Sequence, residues 1–215
     1  MRITILQGAF LPVPALMGGA VEKIWFEMGK QFAARGHQVT HVSRAHPSLQ
    51  SEQMIEGVRH VRVSGFKTPR SGLWLKCLDL WYTLRTAPHL PESDIIVTNT
   101  FWAPLLLNKR HGVEVISVQR MPKGQMRFYR HAERWHAVSS AVEKAILREQ
   151  PDEKERIRVI PNPLPFVEPQ PPSNGGGGKR NLILYAGRIH PEKGLDLLMS
   201  ALRLPVLQPW LNTWR

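Results

Sequence analysis

The feature that most constrains the fold is a strand–helix–strand alternation that begins at the second residue. "RITIL" (2–6) is short and alternates β-branched with long apolar residues, as a buried strand does. A loop with two prolines and three glycines, "QGAFLPVPALMGG", leads into a helical pattern. There Val21, Ile24, Trp25, Met28 and Phe32 share one face. Gly36 follows at the position where a left-handed helix cap is favoured, and "HQVTHVS" returns as a second strand. Two strands joined by a helical crossover of this length pair in parallel, and the sheet is covered by helices.

The alternation continues. Strands are predicted at 58–63, 94–99, 113–118, 135–139 and 157–162, with helices at 73–86, 103–111 and 141–149. The fold class is therefore α/β, a doubly wound and mainly parallel sheet. Ser140 and Glu143 have capping-box spacing just before an apolar run and predict the start of the last of these helices. A chain of 215 residues, 42% hydrophobic, accommodates one full domain and part of a second.

Past "VIPNPLP" the composition changes. "FVEPQPPSNGGGGKR" (166–180) mixes prolines with four consecutive glycines and reads as a flexible linker. "NLILYAG" then reads as an apolar strand, and "GLDLLMSAL" as a helix with Leu195, Leu198, Ala201 and Leu202 on one face. The predicted organisation is a first domain over 1–165, a linker over 166–180, and the opening strand–helix unit of another domain over 181–215.

The formal charge of +12 implies an anionic partner: nucleic acid, phospholipid head groups or a phosphorylated substrate, with a merely solvated basic surface as the alternative. No stretch is long and apolar enough to span a bilayer, and the first residues lack a signal-peptide pattern, so the expected location is cytoplasmic. The single cysteine, Cys77, is expected as a small apolar residue in a packed segment. None of the nine histidines forms a metal-binding pattern, so no metal is expected.

Two turns carry candidate chemistry. In "GRIHPEKG", Arg188 and Lys193 bracket a helix N-terminus whose free amides favour an anion, which makes a diphosphate cradle; ordinary solvated charges are the alternative. In "MGGAVE", Gly18 and Gly19 let a ligand approach the backbone, or act simply as turn residues. G-x-G-x-x-G spacing is absent, which argues against a dinucleotide cofactor.

Taken together, "GGAVEKIWFEMGKQFAARGHQVT", "HAVSSAVEKAI", "IRVIPNPLP" and above all "LYAGRIHPEKGLDLLMSAL" resemble the N-terminal part of a family-four glycosyltransferase, an enzyme with two facing Rossmann-like domains. The resemblance implies transfer of a sugar from a nucleotide-sugar donor to a saccharide or lipid-linked acceptor, with retention of anomeric configuration and without metal or cofactor. It places Arg188 and Lys193 on the donor diphosphate, with Gly18 and Gly19 approaching the donor from the other domain. Where the family commonly has a histidine, this chain has Gln119, and the family's downstream glutamate pair lies beyond residue 215. The expectation is thus a truncated, weakly active or inactive form. The rival readings are a non-catalytic module that holds an anionic membrane, an acceptor or a partner chain, and a frameshifted gene fragment.

One further segment, Lys67–Arg85, interleaves Trp74, Trp81 and Tyr82 with Lys67, Arg70, Lys76 and Arg85. It suggests peripheral contact with an anionic membrane at the inner face. The competing and preferred expectation is that Trp74, Leu78 and Trp81 face the core. Nucleic acid is not expected, since no recognised binding motif accompanies the charge.

Overall fold

A computed structural model describes residues 1–107, 111–163, 183–187, 189 and 191–207. The chain divides into two compact units, Met1–Val167 and Glu168–Arg215.

The first unit is a three-layer α/β sandwich. Its chain order is β1 (Arg2–Leu6), α1 (Ala20–Ala34), β2 (Gln38–Arg44), β3 (Glu52–Ile55), β4 (Val58–Val63), α2 (Gly72–Thr86), β5 (Ile95–Thr98), α3 (Ala103–Leu106), β6 (Val113–Val118), β7 (Arg134–Ala137), α4 (Ser140–Glu149) and β8 (Ile157–Val159). The eight strands lie in the order β3-β4-β2-β1-β5-β6-β7-β8. Every pairing is parallel except that of β3 with β4. The direction of winding reverses between β1 and β5, which makes their carboxyl ends the topological switch point of the sheet.

The helix α1 packs as its periodicity predicts. Trp25 is buried, and Val21, Met28 and Phe32 pack with it against Ile3, Ile5, Val39 and Val58. Its end is a Schellman closure: the Gly36 amide donates to the Ala33 carbonyl at 2.9 Å and the His37 amide to Phe32 at 3.2 Å. Gly36 has φ 82°, which explains why a glycine stands there.

Four expectations for this unit need correction. The edge strand β3 was not foreseen. It turns back into β4 through Glu56 and Gly57, both at positive φ (46° and 79°), and only Gly57 announced the turn. The cap of α4 is Ser139, not Ser140: its hydroxyl accepts from the Val142 amide at 3.3 Å, Ser140 is the first helical residue, and the capping-box pairing with Glu143 is therefore absent. The helix predicted over 103–111 is the four-residue α3, with 108–110 outside the described residues. Finally, α2 is turned the other way round. It buries Asp79, Tyr82, Thr83 and Thr86 and leaves Trp74 63% and Trp81 56% exposed, with Leu78 half-buried; Cys77 is exposed as well.

Polar contacts to α3 and the loop before it explain that inversion. The Asp79 carboxylate accepts from the Phe101 amide at 3.2 Å, and the Trp102 indole N–H donates to the Lys76 carbonyl at 2.7 Å. The Thr83 and Thr86 hydroxyls return to carbonyls of their own helix. An interior already committed to these groups has no room for two tryptophans.

In the second unit, a single turn (Pro191–Lys193) precedes α5 (Leu195–Leu202). Leu195, Leu198, Ala201 and Leu202 are the half-buried residues of α5, as their spacing predicts, while Leu197 and Met199 are exposed. Residues 183–187, predicted as strand, are not in strand conformation. An apolar run becomes a strand only by pairing with a ladder partner, and none is present among the described residues. The linker expected over 166–180 lies outside the described residues.

Candidate functional site

Three clusters stand at the carboxyl ends of the strands in the first unit. At the switch point itself, Gly8 follows β1 and Thr100 follows β5; a Cβ placed on Gly8 would reach contact with Thr100 and Asp79. Burial pushes the Asp79 carboxyl up to about 6, against the pull of the Phe101 and Trp102 amides. The side-chain oxygens of Gln7 and Asn99, the residues immediately beyond the paired β1–β5 ladder, are buried with no hydrogen-bond partner among the described residues, and so is the Tyr82 hydroxyl. Unpaired acceptors gathered beside a carboxyl suit a ligand rich in hydroxyl donors.

The second cluster is the first βα loop. Arginines from neighbouring strands fix it: Arg44 donates to the Phe10 carbonyl at 3.0 Å and Arg62 to Val13 at 3.2 Å. Gly18 and Gly19 have φ of 80° and 104°, and a Cβ on Gly19 would collide with the Glu22 carboxylate and Leu11. Gly18 is open, with nothing near its missing Cβ. Glu22 folds back onto its own amide, so a carboxylate already sits at the positive end of α1; burial raises its pKa, and the charge of Arg120 opposes that rise.

The third cluster joins β6, β7 and the segment after β8. Gln119 donates to the Ser117 hydroxyl at 2.7 Å and accepts from Asn162 at 3.0 Å. Ser117 also meets His136 Nδ1 at 3.1 Å, while His136 Nε2 meets the Ile160 carbonyl at 2.8 Å and the ring lies edge-on to Trp25. Gln119 is thereby fixed on both sides of its amide, one strand away from an imidazole.

In the second unit, Lys193 is exposed and closes the turn before α5, whose N-cap is Gly194 at φ 64°. Asp196 in the first turn of α5 partly offsets the positive helix end. Arg188 lies outside the described residues. No group of three His, Cys, Asp or Glu among the described residues could hold a metal ion.

Sequence reasoning named Gly18, Gly19, Arg188, Lys193 and Gln119, overlooked Asp79 and Glu22, and gave His136 no role. Asp79 had a signal, since it is the sole acid between Val63 and Glu92 in an otherwise basic and apolar stretch. His136 had none, because its link to Gln119 runs through the pairing of β6 with β7.

No curated protein matches the chain. Among solved structures, the chain is similar to sucrose-phosphate synthase from Thermosynechococcus elongatus, with TM-score 0.56 and 15% identity over 74% of this chain and 47% of that one. A second structure of that synthase gives TM-score 0.51 and 16% identity over 75% of this chain and 88% of that one. A lipopolysaccharide outer core galactosyltransferase gives TM-score 0.48 and 13% identity over 76% and 46% of the two chains. The two synthase likenesses bear on the fold alone, and the chain spans about half the length of the first structure that it matches. The family model of Glycosyltransferase Family 4 matches residues 17–166, well over half of the sequence, and the chain belongs to that family.

Proposed function

We propose that the chain takes part in transferring a sugar from a nucleotide-sugar donor to a saccharide or lipid-linked acceptor, with retention at the anomeric carbon and without metal or cofactor. The observation that carries this reading is the family match over 17–166. In it the first unit is the acceptor side, working in the cytoplasm at the inner face of a membrane. In this reading the acceptor's hydroxyls meet the switch-point groups Asp79, Gln7 and Asn99. Lys193 and Arg188, with the amides that open α5, hold the donor diphosphate and stabilise the charge that develops as it leaves; Gly18 and Gly19 admit the donor to the backbone of the first βα loop.

Titration calorimetry of the chain with nucleoside diphosphates tests the donor assignment. The expected result is weak binding that disappears in the Arg188→Ala, Lys193→Ala double variant, since two cations and a helix end are all that is assigned to the diphosphate. Undiminished binding by the double variant would place the diphosphate elsewhere.

A further inference from the structure

The inverted helix α2 presents a face that the proposed transfer does not use. Leu73, Cys77, Leu80 and Leu84 follow one another at helical spacing, and Trp74 and Trp81, seven residues apart, form the adjoining stripe. Leu73, Trp74, Trp81 and Leu84 are all at least half exposed, at 74%, 63%, 56% and 52%. The short α3 packs against α2 and adds exposed Leu105 and Leu106. A helix normally turns this side inward; here Asp79, Tyr82, Thr83 and Thr86 occupy the interior instead.

Charge identifies what the face meets. Lys67, Arg70, Lys76 and Arg85 border it and are all exposed, whereas Asp79, the sole acid between Val63 and Glu92, is 5% exposed and turned inward. Arg85 lies over the rings of Phe66 and Trp81, and Lys76 over Phe101 at 4.6 Å, so the cations stand directly beside the aromatic surface. A rim of one sign around tryptophan and leucine matches an anionic lipid surface, where indole rings sit at the head-group level. Tryptophan and arginine also suit a protein interface, but lysine is depleted there, and an unbroken rim of one sign favours the lipid surface. No helix among the described residues is long and apolar enough to cross a membrane, and α2, at 15 residues, is itself too short to span one.

We propose that the outward face of α2, with Trp74 and Trp81 as anchors and Lys67, Arg70, Lys76 and Arg85 as head-group contacts, seats the first unit on an anionic bilayer. Because α2 starts beyond the carboxyl end of β4, Trp74 stands on the same edge of the sheet as the switch point, which brings a lipid-borne acceptor to that edge. This inference deepens the transferase reading and rests on it for the identity of what the lipid carries, but membrane binding itself is measured without donor or acceptor.

Flotation of the full chain with vesicles of phosphatidylcholine alone, or of phosphatidylcholine with phosphatidylglycerol, provides the test. The chain floats with the anionic vesicles, weakly or not at all with the neutral ones, and less at high salt. Trp74→Ser with Trp81→Ser lowers anionic-vesicle binding at least tenfold while leaving the thermal melt unchanged, since both side chains are exposed. Each cation removed costs about fivefold, so Lys76→Gln with Arg85→Gln costs roughly 25-fold. Lys144→Gln with Arg148→Gln, on α4, costs far less. The inference is overturned by equal flotation with both vesicle types, by tryptophan variants that float like the parent, or by an equal loss from the α4 pair. It is also overturned if the chain fails to float and instead self-associates in sedimentation through Trp74 and Trp81. A chain that floats but binds no nucleoside diphosphate retains the membrane seat and loses the transferase reading.

Discussion

Glu114, at the start of β6, is shut away from water near Glu133, and burial pushes its carboxyl up to about 8. On the other side of the sheet's midline, His41 and His60 stack at 5.3 Å between ring centroids, fully buried, and no ring nitrogen of either has a hydrogen-bond partner among the described residues. Burial, reinforced by Arg62, lowers both, His60 to about 4. The signs oppose each other. A histidine with a lowered folded pKa contributes stability that is complete above about 6.5 and lost as pH falls from there toward about 4. An acid with a raised folded pKa does the reverse: Asp79 loses stability as pH rises from its ordinary 3.8 to about 6, and Glu114 from 4.5 to about 8. Two groups of each kind therefore nearly cancel between pH 4.5 and 6, and above 6.5 Glu114 dominates. Urea denaturation should show stability falling from pH 6.5 to 8 by at most about 2 kcal/mol. Glu114→Gln should remove most of that fall and, with one compensating acid gone, steepen the loss below pH 6.5. An unchanged profile in the variant would mean that Glu114 is ionised at neutral pH. None of this is legible in sequence, where "VEVISV" and "QVTHVS" look like ordinary strands with one titratable residue each. Ionisation is set by what a fold places beside a group, and His41 meets His60 only through the β2–β4 register.

At the scale of elements, the sequence spoke most clearly where burial and periodicity coincide and least clearly where a polar contact decides orientation. Periodicity located α1 and α5 down to the buried face. It located α2 but turned it the wrong way, because Trp74, Leu78 and Trp81 outweigh one aspartate and two threonines in any hydrophobic count, whereas the fold needed Asp79 to hold the amide of Phe101. The edge strand β3 escaped because its polar residues lack an apolar alternation. The start of α4 shows the error at its smallest, one residue. Two serines stand side by side, and the glutamate three residues after Ser140 favoured the wrong one; it is Ser139 whose extended backbone and hydroxyl reach the Val142 amide. Burial of Val142 and Ile146 contributes about 2 kcal/mol each and holds the helix in place, while the cap contributes about 1 kcal/mol and decides where it begins. Ser139→Ala should accordingly destabilise the chain by about 1 kcal/mol and Ser140→Ala by no more than a few tenths. Equal losses in denaturant titrations of the two variants would return the cap to Ser140.

At the scale of the whole molecule, alternation in the sequence specifies a doubly wound sheet but not which strands are neighbours, and the strand order is what creates the switch point. The same order collects the core. All three hydrophobic clusters draw their buried members from residues between Ile3 and Ile157, with Trp135 fully buried in the one beneath α4. No residue of α5 is fully buried. The stability of the first unit is therefore expected to be its own. A chain ending at Val167 should melt cooperatively within about 2 °C of the 215-residue chain, because it keeps every buried member of the three clusters. Trp135→Ala, in either chain, should cost about 3–5 kcal/mol by opening a cavity at a fully buried site. Circular dichroism melts of the four proteins decide the matter: a fall of ten degrees or more on removing 168–215 would mean that the second unit carries part of the first unit's stability, and the division of the core after Ile157 would have to be abandoned.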